Sequence, residues 1–179
     1  MDARAQAFAI WITGLPSSGK STVAAALATE LRGLGIEPSI LESDALRAIF
    51  IPQGGYDEAS RDLFYRQMEY IGALLVRHGV PVIFDATANR RAYRDHARQD
   101  ISQFLEVYVD CPLAICMARD PKGIYRLARE GGAAHVPGVQ DVYEAPDAPD
   151  IVIRGANDSP ADAARRIVAT LRQKGFLPI

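Results

Sequence analysis

The sequence has very little lysine. Of its 20 basic residues only those at 20, 122 and 174 are lysine, and the rest are arginine. Cysteine is scarcer still, with Cys111 and Cys116 alone. Two thiols are too few for a disulfide-stapled fold or a four-ligand zinc site, and they read as small buried hydrophobes. An excess of one charge sign is also missing, since 20 basic residues stand against 22 acidic ones for a net charge of −2. That balance excludes a general nucleic-acid binder, which needs a basic stripe. No apolar run approaches the roughly 18–20 residues that span a bilayer, so no membrane association is expected. Met1 to Ile10 has no basic region followed by a long apolar stretch, so no signal peptide is expected and a cytoplasmic location is. There is no internal repeat and no low-complexity segment. Hydrophobic residues make up 49% of the 179, enough for one core, and a single domain over residues 1–179 is expected.

Short apolar runs alternate with longer amphipathic ones. Strands are predicted at Phe8–Ile12, Ser39–Leu41, Val80–Phe84, Phe104–Val109 and Asp150–Ile153. Helices are predicted at Ser21–Arg32, from Ala45, at Glu58–His78, Ala92–Gln99, Pro112–Ala118 and Ile124–Glu130. A last helix opens at Ser159-Pro160 (an N-cap with proline at the first helical position) and runs to about Arg172. Alternating strands and helices imply an α/β fold: a five-stranded parallel sheet with helices on both faces. Such sheets bind ligands at the carboxyl ends of their strands.

The first predicted strand runs into Gly14, Leu15, Pro16, Ser17, Ser18, Gly19, Lys20, Ser21 and Thr22, which contains G-x-x-x-x-G-K-[ST]. The glycines let successive N–H groups curl around a phosphate chain, and the helix that follows adds its positive end. Lys20 reaches the β- and γ-phosphates, and the Ser21 hydroxyl is offered to Mg²⁺. The loop therefore points to ATP, with Mg²⁺ as cofactor. Guanine recognition by N-K-x-D is absent, because neither Asn89 nor Asn157 precedes a lysine. This P-loop fold without a second domain points to a small-molecule kinase.

An acceptor side follows the second and third strands. Asp44 stands where a kinase needs a carboxylate to orient or deprotonate the acceptor hydroxyl, or to hold the metal with Ser21. It could equally cap the helix from Ala45. Arg47, three residues on, shares its helical face and could grip an acceptor phosphate. Asp85 is a candidate second carboxylate. Arg90, Arg91 and Arg94 cluster at the ligand edge of the sheet, where a polyphosphate needs positive charge. Any one of them could instead belong to a solvated helix start. Residues 120–149 are rich in glycine and proline and read as a lid with Arg119 and Lys122 at its base, which would exclude water from the transfer.

These residues together resemble the adenylylsulfate kinases. The strongest likeness is in Phe104–Leu113 and in Arg119-Asp120-Pro121-Lys122-Gly123-Ile124-Tyr125, beside the family's R-D-P-K-G-L-Y. Gly138–Pro146 resembles T-G-I-D-D-P-Y-E-x-P, and Leu41–Arg47 resembles L-D-G-D-x-x-R. The resemblance implies a P-loop kinase fold and transfer of the ATP γ-phosphate to the 3′-hydroxyl of adenosine 5′-phosphosulfate. It also implies Mg-ATP, cytoplasmic sulfate assimilation and a homodimer. It casts Lys20, Asp44, Arg47 and Lys122 as catalytic, and Arg119 on the ATP side. Tyr56, Arg61, Arg91 and Val136 join Asp44, Arg47 and Lys122 around the acceptor. Departures concentrate there: Ser60, Phe64, Ala88 and Val136 replace the family's Asp, Asn, Ser and Phe. Two other readings stay open. One is a kinase of this fold acting on another small phosphorylated or nucleotide-like alcohol. The other is a nucleotide-binding protein without turnover.

Overall fold

The computed structural model describes residues 7–178. The stretch read for a leader therefore lies mostly outside the described residues. Along the chain run β1 (Ala9–Thr13), α1 (Lys20–Gly33), β2 (Ser39–Glu42), α2 (Ser43–Phe50), α3 (Glu58–Arg77) and β3 (Val82–Asp85). Then come α4 (Arg91–Asp100), β4 (Phe104–Asp110), α5 (Leu113–Arg119), α6 (Ile124–Arg129), β5 (Ile151–Arg154) and α7 (Pro160–Gln173). The five strands form one sheet in the order β2-β3-β1-β4-β5, and every pairing is parallel.

β1 is central and buried at all five residues, which is why its first four are continuously apolar rather than alternating. Alternate side chains still go to opposite faces. Ile10 and Ile12 meet Val23, Leu27 and Leu31 of α1 and Ile167 and Leu171 of α7. Ala9 and Trp11 meet Phe64 and Met68 of α3 and Tyr93 and Ala97 of α4. Trp11 stacks on Phe84 with ring centroids 4.5 Å apart. Gly72 lets α3 approach that pair, since a Cβ there would stand 2.1 Å from Phe84 Cζ. Among the described residues no helix is long and apolar enough to cross a membrane.

Three predicted boundaries move for identifiable reasons. β3 begins at Val82, because Pro81 has no N–H for the ladder; its carbonyl instead accepts from Ser39 N at 2.8 Å. α2 begins at Ser43 rather than Ala45, and its cap is Glu42, whose carboxylate accepts from Asp44 N and Ala45 N. Asp44 therefore does not cap the helix, and its side chain is available to the ligand edge. Asp150 falls just before β5; its carboxylate accepts from Glu106 N at 2.7 Å, and its own N–H donates to the Glu106 carbonyl. The expected cap at Ser159 is present, with Oγ accepting from Asp162 N at 3.1 Å.

Candidate active site

The carboxyl ends of β1, β2 and β3 open into one cleft of about 890 Å³, roofed by residues between Arg119 and Pro137. The phosphate loop forms one end. Gly14 has φ +153°, and a Cβ there would lie 2.6 Å from the Val109 carbonyl oxygen. Ser17 (φ +63°) and Gly19 (φ +106°) are left-handed, and α1 starts directly after Gly19. Left-handed residues set among right-handed ones turn successive N–H groups to one side and make an anion-sized concavity. Pro16, Ser17, Gly19, Lys20, Ser21 and Thr22 line the cleft. Gly14, Leu15 and Ser18 stand behind them as the frame of the loop. The Leu15 carbonyl accepts from Lys20 Nζ at 2.8 Å.

Lys20 is only 8% exposed. Loss of hydration lowers its pKa from 10.5 to about 8, against the attraction of Asp85 and Asp44. Asp85, buried at the end of β3, has its carboxyl raised by the same desolvation, while a hydrogen bond from Ser21 and the charge of Lys20 pull the other way. Ser21, Lys20 and Asp85 are thus one electrostatic unit beneath the phosphate loop.

Across the cleft, Asp44 accepts a hydrogen bond from Lys122, an ion pair between α2 and the turn joining α5 to α6. Donation to the Asp44 carboxylate raises the Lys122 pKa. Arg47 lies between the rings of Tyr56 and Phe64, 4.8 and 4.0 Å from their centroids, and donates to the Gly55 carbonyl at 2.9 Å. Arg61 of α3 pairs with Asp141 at 2.8 Å and donates to the His135 carbonyl. Arg119 reaches the Ser18 carbonyl at 3.5 Å. Asp44, Arg47, Tyr56, Arg61, Arg119, Lys122 and Val136 all line the cleft. Val136 does so from within a small apolar cluster with Cys116 and Tyr125. The thiols have no reactive setting: both are buried, and burial pushes Cys116 up to about 12.

The arginine cluster after β3 is the main correction. Arg91 lies outside the cleft: its Nε donates to the Ala145 carbonyl at 2.7 Å and its Nη1 to Asp147 at 2.8 Å. Arg90 pairs with Glu58 at 2.6 Å on the surface. Arg94 is buried against Glu106. Each found a carboxylate or carbonyl from a distant stretch, which proximity to a strand end could not reveal. The cleft's positive charge comes instead from Lys20, Arg47, Arg61, Arg119 and Lys122. His135, which the sequence did not single out, also lines it, beside Tyr65, Thr87 and Asn89. The Tyr65 ring packs into the core beneath the cleft, stacked on Tyr93 at 4.5 Å.

A family model described as adenylylsulphate kinase matches residues 6–154. An adenylyl-sulfate kinase of Synechococcus sp. (strain JA-3-3Ab) is 38% identical over 168 residues, covering 94% of this chain and 96% of its own. A probable adenylyl-sulfate kinase of Pyrococcus abyssi is 34% identical, covering 97% of this chain and 99% of its own. Among solved structures, the Mycobacterium tuberculosis APS kinase CysC in complex with AMPPNP and APS superposes with a TM-score of 0.88 at 32% identity, covering 93% of this chain and 98% of that one. By fold, phosphate loop and sequence alike, the chain belongs to the adenylylsulfate kinase family, whose members are phosphotransferases acting on an alcohol group.

Proposed function

We propose that this chain transfers the γ-phosphoryl group of ATP to the 3′-hydroxyl of adenosine 5′-phosphosulfate. The observation that carries the reading is the single cleft with buried Lys20 at one end and the Asp44–Lys122 pair at the other. The relative solved with AMPPNP and APS supports both substrates. The phosphate loop binds the triphosphate through its N–H groups, and Lys20 places a compact ammonium between β- and γ-oxygens. Asp44 holds the acceptor hydroxyl and takes its proton as the oxygen bonds to the γ-phosphorus and the β–γ bridging bond breaks, leaving ADP. Lys122, paired with Asp44 in the open cleft, exchanges onto a phosphate and closes the lid. Arg47 and Arg61 face the acceptor's anionic end.

Mg²⁺ belongs to this proposal. Among the described residues no three acidic, histidine or cysteine side chains cluster as a metal cage. Mg²⁺ is ordinarily held by one or two carboxylates with substrate phosphates and water. Ser21 and the Asp85 bonded to it fit that pattern and leave Asp44 to the acceptor hydroxyl. The ion would neutralise charge on the β- and γ-oxygens. Residues 120–149 as a lid over one kinase domain, a homodimer and cytoplasmic sulfate assimilation complete the reading.

Incubation with Mg-ATP tests it. ADP formation should depend on adenosine 5′-phosphosulfate, and Asp44→Asn should lower it about a hundredfold or more. No acceptor-dependent ADP would overturn it. Ala88 and the recessed Val136 favour the second reading, another small phosphorylated or nucleotide-like alcohol, which turnover with a different member of an alcohol panel would establish.

A further inference from the structure

Arg94 is 1% exposed, and each of its three guanidinium nitrogens donates. Nε donates to Glu106 Oε1 at 2.8 Å, Nη1 to the Ala88 carbonyl and at 3.4 Å to that of Arg90, and Nη2 to the Glu144 carbonyl at 2.7 Å. It therefore grips two segments at once, the loop leaving β3 and the return arm of the roof, residues 141–147. Those segments are laced together further. Glu144 N donates to the Asn89 carbonyl at 2.8 Å, Arg91 N to Glu144 Oε2 at 2.8 Å, and Asn89 Nδ2 to the Val142 carbonyl at 3.1 Å. Tyr143, next along, shares a 3.0 Å hydrogen bond with Thr13 Oγ1, which donates to the Thr87 carbonyl at 2.6 Å. Ala88 sits in the middle with φ +41°, a conformation alanine holds only when its surroundings impose it. Its N–H donates to the Tyr65 hydroxyl at 2.9 Å, and its carbonyl takes Arg94. A buried ion pair adds little stability of its own, because desolvation offsets the attraction. What this one fixes is geometry.

We propose that Arg94, neutralised by Glu106, is a positioning residue for the acceptor half of the cleft. It holds Thr87, Asn89 and Tyr65, all lining residues, in one body with the root of the lid. It makes no bond to the phosphate loop, so its loss acts on the acceptor and spares ATP. This rests on the reading of that half as the acceptor side.

Arg94→Lys is the primary test. It keeps the charge beside Glu106 but replaces a planar fork, whose three nitrogens separately reach Glu106, Ala88 and Glu144, by a single ammonium nitrogen. With Mg-ATP and adenosine 5′-phosphosulfate, the acceptor KM should rise about tenfold or more while the ATP KM stays within about twofold. Hydrogen exchange should quicken at the Arg91 and Glu144 amides and stay unchanged at Val23, whose N–H bonds to Gly19 in the phosphate loop. The double variant Arg94→Met with Glu106→Leu removes both charges together and should show the same split. An unchanged acceptor KM, equal losses for ATP and acceptor, unaltered exchange at Arg91 and Glu144, or failure of both variants to fold would each overturn the proposal. Wild-type protein is the control. If it does not turn over adenosine 5′-phosphosulfate, the functional reading fails, and the exchange data still judge the clamp.

Discussion

Lys20→Met in the nucleotide-free protein should cost activity and leave the fold as stable or more so. Burial lowers the Lys20 pKa from 10.5 to about 8, which means the fold disfavours its protonated form by about 3 kcal/mol relative to water. Below about pH 8 both folded and unfolded chains hold the proton, and the full cost is present. Between about 8 and 10.5 the unfolded chain keeps a proton that the folded chain has released, so the group's contribution to stability rises with pH. Methionine fills similar space without the charge. It forfeits the Nζ bond to the Leu15 carbonyl, worth about 1.5–3 kcal/mol for a charged donor. At pH 7 the variant is therefore expected to equal wild type or exceed it by about 1 kcal/mol, while phosphoryl transfer falls about a hundredfold or more. Urea unfolding of both proteins from pH 7 to 10.5 measures this. Other titrating groups cancel in the difference, so wild type minus variant should climb by about 3 kcal/mol. A flat difference would refute the reasoning. Added Mg-ATP should favour wild type at pH 7, because phosphate oxygens replace the lost hydration.

Two further outcomes are expected. Glu69 has its carboxyl raised to about 7, chiefly by burial and then by Asp100 beside it. The folded state thus binds a proton that the unfolded chain releases between pH 4.5 and 7, and the associated stability is lost as pH rises through that window. Glu69→Gln should raise Tm at pH 8 and leave it nearly unchanged at pH 4.5; equal shifts at both would contradict this. Gly155 abuts the phosphate loop, and a Cβ there would lie 2.4 Å from the Ser18 carbonyl oxygen and 3.0 Å from Val109 Cγ1. Gly155→Ala should cost about 1–3 kcal/mol in urea unfolding and raise the ATP KM more than the acceptor KM; an unaltered ATP KM would show that the loop is not displaced.

Much of the molecule was legible in the chain. Ile10, Trp11 and Ile12 announce a buried central strand, and the Gly14–Ser21 pattern announces the phosphate loop, because both depend on residues adjacent in sequence. Lys20 and Lys122, kept as lysine in an arginine-rich chain, both line the cleft. Local patterns also fixed the cap at Ser159. They misread the cap of α2, where Glu42 reaches two N–H groups and frees Asp44 for Lys122.

The partners of charged side chains were decided only in three dimensions. Arg90, Arg91 and Arg94 share one sequence neighbourhood, yet their partners Glu58, Asp147 and Glu106 come from α3, the return arm of the roof and β4. A guanidinium pairs with whichever carboxylate or carbonyl the packing brings within about 3 Å. Sequence alone determined the fold class, the phosphate loop and the run of strands that carries it, through periodicity and turn chemistry. Which cations face the ligand and which tie the scaffold was settled by tertiary packing, because hydrogen-bond distance is a property of space and not of sequence separation.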